Sequence, residues 1–67
     1  MKLAPVEQLV IQEAEEERGR ALRHLEHGDD GIVLAQMFKS AAESYSHAAE
    51  LIALRMRVEA KARRRAS

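Results

Sequence analysis

From Leu34 to Ile52 the apolar residues recur by fours and threes, at Leu34, Phe38, Ala41, Tyr45, Ala48 and Ile52. This spacing draws a stripe along a helix that packs over its whole length against other helices. Upstream, Leu3, Val6, Val10, Ala14, Ala21 and Leu25 keep the same period, and Ile11 and Leu22 widen it. Between the two stripes lies His27-Gly28-Asp29-Asp30-Gly31. Gly28 suits the left-handed position that closes a helix, and Asp29 or Asp30 suits the N-cap of the next. The pattern predicts an all-α antiparallel helical hairpin, with residues 1–67 as one domain. Helix 1 is expected over about 4–27, the turn over 28–31 and helix 2 over about 32–65.

Pro5 fits a first helical turn, and Glu7 favours the positive end of the helix dipole. Gly19 interrupts helix 1 at a cost of about 1 kcal/mol relative to Ala, tolerable on a solvent side. Beyond Ile32 no proline or glycine stops helix 2. At about 100° per residue its apolar positions fill an arc of roughly 200°, with Val33, Met37, Leu51 and Met56 joining the stripe. One neighbouring helix covers less than that, so a second protomer is expected to shield the remainder, as a four-helix-bundle dimer or higher oligomer. The expected oligomer interface is Leu34, Phe38, Ala41, Ala42, Tyr45, Ala48, Ala49 and Ile52. Ala35, Ala42 and Ala49 stand seven apart, as do Ala41 and Ala48. Small residues at that repeat permit close helix approach, although alanine is also simply a good helix former.

Size sharpens the oligomer expectation. A chain of 67 residues has a core that supplies no more than about 3–5 kcal/mol without a staple. The absence of cysteine removes disulfides and thiolate zinc sites. Phe38 and Tyr45 are the only aromatic residues, too few for base-stacking platforms. A formal net charge of zero argues against a general electrostatic grip on nucleic acid. The first eleven residues, broken by Glu7 and Gln8, do not read as a signal peptide, and no apolar run approaches a membrane span. A cytoplasmic protein without a membrane partner is the expectation.

Charge is nonetheless segregated. Helix 2 should overhang helix 1 by about ten residues, roughly 15 Å. Arg55, Arg57, Lys61, Arg63, Arg64 and Arg65 fall there against a lone Glu59, while Glu13, Glu15, Glu16 and Glu17 sit in mid-helix 1. The arginines could hold phosphates or carboxylates, or merely complement the C-terminal dipole. Glu43, His47 and Glu50 form a carboxylate–imidazole–carboxylate row, but on the polar side, where a solvated face is the plainer reading than a metal site. His24 and His27 flank the turn without an obvious carboxylate partner. Glu17 lies at the apolar edge of helix 1, where it either reaches solvent or bonds Ser44 or the Tyr45 hydroxyl across the hairpin.

Ser40, Ser44 and Ser46 lack a His–Asp arrangement, and no glycine-rich phosphate loop exists. No enzyme activity and no cofactor are expected. Short helical chains of this kind act as regulators, inhibitors or assembly adaptors, including phage- and plasmid-carried ones. The favoured expectation is therefore a small interaction protein that binds itself and a protein target. An RNA- or DNA-binding hairpin dimer using the arginine-rich end is the alternative, and a small-ligand or metal site between protomers ranks third.

Overall fold

The computed structural model describes residues 2–66; Met1 and Ser67, the ends of the expected domain, lie outside the described residues. Two helices, α1 (Pro5–Glu26) and α2 (Ile32–Ala66), pack against each other as a hairpin. Among the described residues no helix is long and apolar enough to cross a membrane.

The chain enters α1 with Pro5 in the first turn, where its fixed φ is already helical and its missing N–H costs nothing. Ala4 occupies the N-cap and has no side-chain acceptor to offer, but Glu7 reaches back so that its Oε1 accepts the Ala4 N–H at 3.0 Å. The helix closes as the glycine predicted. Gly28 takes φ 85°, its N–H donates to the Leu25 carbonyl, and the Asp29 N–H donates to the His24 carbonyl, each at 3.0 Å. These are the two bonds of a Schellman closure. An apolar contact usually accompanies that closure; here the His24 ring Nδ1 meets the Asp29 carboxylate at 2.8 Å. The expected aspartate cap of α2 is therefore formed by neither Asp29 nor Asp30. Gly31 stands at the N-cap, with φ 120° and its carbonyl accepting the Ala35 N–H.

Register follows from one pair. Glu7 Oε2 accepts a hydrogen bond from Arg55 Nε at 2.6 Å. Counting inward by sevens from that pair sets Ala14 beside Ala48 and Ala21 beside Ala41. These four alanines form the buried apolar core, none more than 3% exposed. Ala41 and Ala48 thus belong to the seam inside the hairpin, which corrects their expected place at an oligomer interface. The reason is steric: where two helix axes come closest, only methyl-sized side chains fit between the backbones. Bulkier members of both stripes are pushed to the flanks. Val6 and Leu25, expected on the packed side of helix 1, are 56% and 50% exposed.

The hairpin measures 57 × 18 × 13 Å. A helix with its side chains is about 10–12 Å across and rises about 1.5 Å per residue. The molecule is accordingly one helix thick and two wide, and α2 sets its length. Such a plate has a seam but no interior. Replacing Ala48 by Leu should force the helices apart and lower unfolding stability by about 1–3 kcal/mol, read from urea midpoints; an unchanged midpoint would mean that the helices are not held at methyl-to-methyl distance.

Candidate functional site

Two features stand out from the plate: a charged lock at its open end, and the apolar side chains left on its broad faces. Glu7 is the lock's centre. It is only 2% exposed, yet each carboxylate oxygen has a donor, the Ala4 N–H on one and Arg55 on the other. Burial alone would raise its pKa; the Arg55 hydrogen bond dominates, so the carboxyl is held below its ordinary 4.5. Arg55 also donates from Nη1 to Glu59 Oε1 at 3.0 Å, one turn further along α2. The two carboxylates, Glu7 first, push its pKa upward. Its remaining nitrogen, Nη2, is buried without an acceptor among the described residues. Arg55 is therefore an internal tie between α1 and α2, which corrects its grouping with the exposed basic end. The sequence did carry a signal for this pair. Glu7, Ala14 and Ala21 step by seven toward the turn, Ala41, Ala48 and Arg55 step by seven away from it, and opposite charges terminate the two rows.

The other expected basic residues, Arg57, Lys61, Arg63, Arg64 and Arg65, are exposed on the part of α2 that runs past the start of α1. Glu43, His47 and Glu50 are exposed on α2. No group of three His, Asp or Glu side chains among the described residues is arranged to hold a metal ion. Glu17 is half-buried and accepts bonds at Oε2 from the hydroxyls of Ser40, at 3.0 Å, and Ser44, at 3.4 Å. Ser44 is one of its two foreseen partners. Ser40 was not foreseen, and the Tyr45 hydroxyl is not used, because it falls on the opposite side of the seam.

Helical geometry sorts the flanking residues by face. The serine face holds Glu17, Ser40, Ser44 and Met37, with a shallow crevice of about 180 Å³ bounded by Glu17, Arg20, Met37 and Ser40. Its large apolar residues include half-buried Val10 and Leu51 and, each more than half exposed, Val6, Val33, Leu54 and Val58. On the other side, which we term the tyrosine face, the helical repeat sets Phe38, Tyr45 and Ile52 in one row and Ala35, Ala42, Ala49 and Met56 in the next. From α1 come Ile11, Leu22 and Leu25, with Glu15 and Arg18 between them. Tyr45 is 37% exposed and Met56 50%, Phe38 and Ile52 are half-buried, and Ala42 and Ala49 are exposed. Five of the eight expected interface residues thus share this face. Leu34, half-buried, closes the seam beside the turn.

Comparison with family models, with curated proteins and with solved structures finds no match. The candidate site therefore rests on this geometry alone.

The lock makes stability pH-dependent in a definite direction. Because the folded-state pKa of Glu7 lies below its ordinary value, the pair's contribution is fully present above about 4.5 and is lost as pH falls through the lowered folded value. Denaturant midpoints of the wild type should fall with acid in that window more steeply than those of Glu7→Gln, which should start lower at neutral pH. Parallel curves for the two proteins would contradict the lock.

Proposed function

We propose that the chain is a small non-enzymatic interaction protein, working as a dimer of hairpins in a four-helix bundle that binds a protein target. The observation that carries this reading is where the bulk lies. The buried core is four alanines, whereas Val6, Leu9, Leu25, Ile32, Val33, Leu54, Met56 and Val58 are each at least half exposed. Each alanine methyl contributes only on the order of 0.8 kcal/mol. A plate one helix thick gains by stacking a second plate on a broad face, and the tyrosine face presents Phe38, Tyr45, Ile52 and Met56 in adjoining rows. Pairing through the tyrosine face leaves the serine face and the plate edges for a target. Exposed apolar area of this extent marks an interaction surface in a chain with so little core.

A second reading has its own observation: Arg57, Lys61, Arg63 and Arg65 are exposed along the last three turns of α2. Two such ends in a dimer could grip nucleic-acid phosphates. Retention on RNA or DNA that falls steeply between about 50 and 200 mM salt, and disappears in Arg63→Ala/Arg65→Ala, would favour it; salt-independent capture of a protein favours the first.

The pairing itself has a direct test. Tyr45→Glu places a charge in the middle of the tyrosine face without touching the alanine seam. Sedimentation should show the wild type as a dimer and the variant with association weakened by about tenfold or more, at unchanged helicity. A wild type that stays monomeric at all concentrations would remove the reading.

A further inference from the structure

The residues of the tyrosine face are arranged symmetrically about one level of the hairpin, and this fixes how a second copy would sit. On α1, Ile11 and Leu22 are equidistant from a point between residues 16 and 17, and so are Glu15 and Arg18. On α2, Ala42 and Ala49 are centred between residues 45 and 46, as are Ala35 and Met56, while Phe38 and Ile52 are centred on Tyr45. The Glu7–Arg55 register brings these two midpoints to the same height. We infer that two copies pair face to face about a two-fold axis crossing the hairpin there, so that they run antiparallel and the turn of each lies against the basic end of the other. The inference rests on the proposed pairing through the tyrosine face and adds its orientation and its charge partners.

Under that axis most side chains of the face meet a complement, with Leu25 falling opposite Gln8. Ile11 packs on Leu22 of the second copy, Ala42 on Ala49, and Phe38 lies across Ile52. Glu15 meets Arg18 of the second copy, twice, once on each side of the axis. Neither residue forms an ion pair within the hairpin among the described residues. The self-complementarity is what an isologous interface requires. With extents of 57 × 18 × 13 Å, a broad face offers on the order of 800 Å² per copy, the scale of a specific interface.

The competing two-fold runs along the length of the plate and lays α1 of one copy over α2 of the other. It would set Glu15 and Arg18 against Ala42, Tyr45 and Ala49, desolvating both charges without partners. It would also bring two ends carrying Arg57, Lys61, Arg63 and Arg65 side by side. The crosswise axis separates those ends by the length of the molecule and places each near Glu26 and Asp30 of the other turn. It also opposes the two α2 dipoles.

The chain has no cysteine, so introduced thiols report orientation without background. Ala42 and Ala49 are exposed in the hairpin, and Ala42→Cys and Ala49→Cys leave the seam intact. Mild oxidation of the mixed variants should give a 42-to-49 cross-link, while each alone cross-links poorly, its two thiols lying about seven residues, or roughly 10 Å, apart along the axis. Glu15→Arg should weaken dimerisation by about tenfold, and adding Arg18→Glu in the same chain should restore it. A wild-type dimer in which Ala42→Cys alone cross-links as well as the mixture, or in which the double charge swap fails to recover, would overturn the orientation and leave the pairing standing. A monomeric wild type would overturn both.

Discussion

Close approach of two helices through alanine is the constraint from which the rest of this structure follows. Ala14, Ala21, Ala41 and Ala48 let the backbones come together where any larger side chain would hold them apart. A methyl-lined seam has little shape to define its own register, since sliding by one heptad still sets one alanine against another. The Glu7–Arg55 pair removes that freedom. Breaking it by a slip would leave a carboxylate that is 2% exposed without its counterion, a state far costlier than any loss among the alanines. At the other end, the Gly28 closure and the His24–Asp29 contact hold the turn. The hairpin is pinned by polarity at both ends and packed by small groups between them.

The same constraint leaves the bulky apolar side chains outside the seam. Reserving the seam for methyls displaces Phe38, Tyr45, Ile52, Met56 and Leu25 to the flanks, and a plate 13 Å thick has no second layer to receive them. In larger bundles such residues would be the core. Under the proposed pairing they become the means of association, and the surface left uncovered by folding is the one that recognises. Charge follows a similar logic. Arg55 is used internally, and the cations beyond it are carried on a part of α2 that α1 never reaches.

Much of the fold was legible in the residues. Both helices, the turn, the proline start and the glycine closure followed from local rules that hold without tertiary context. Ser44 as a partner of Glu17 followed from hairpin register. What was not legible depended on which of several neighbouring stripes becomes the seam. The apolar arc of α2 spans both Ala41/Ala48 and Ala42/Ala49, and hydrophobicity alone does not choose between rows of alanine. The facing helix does: the Glu7–Arg55 pair continues the Ala41/Ala48 row, which is buried, while Ala42 and Ala49 stay outside. Reading Arg55 as one more cation of the basic end, and Glu7 as a mere dipole complement, had the same origin. Each was judged by its own helix rather than by the residue facing it. His24 and Asp29 were missed because the left-handed glycine between them folds the chain back.

The central claim is that the hairpin is an incomplete layer, and its most direct test is the concentration dependence of thermal unfolding followed together with mass. The account predicts a particle of twice the 7.5 kDa chain mass, and a midpoint that climbs as protein concentration is raised, because folding and association are linked. A 7.5 kDa particle that melts cooperatively at one temperature, whatever its concentration, would contradict it.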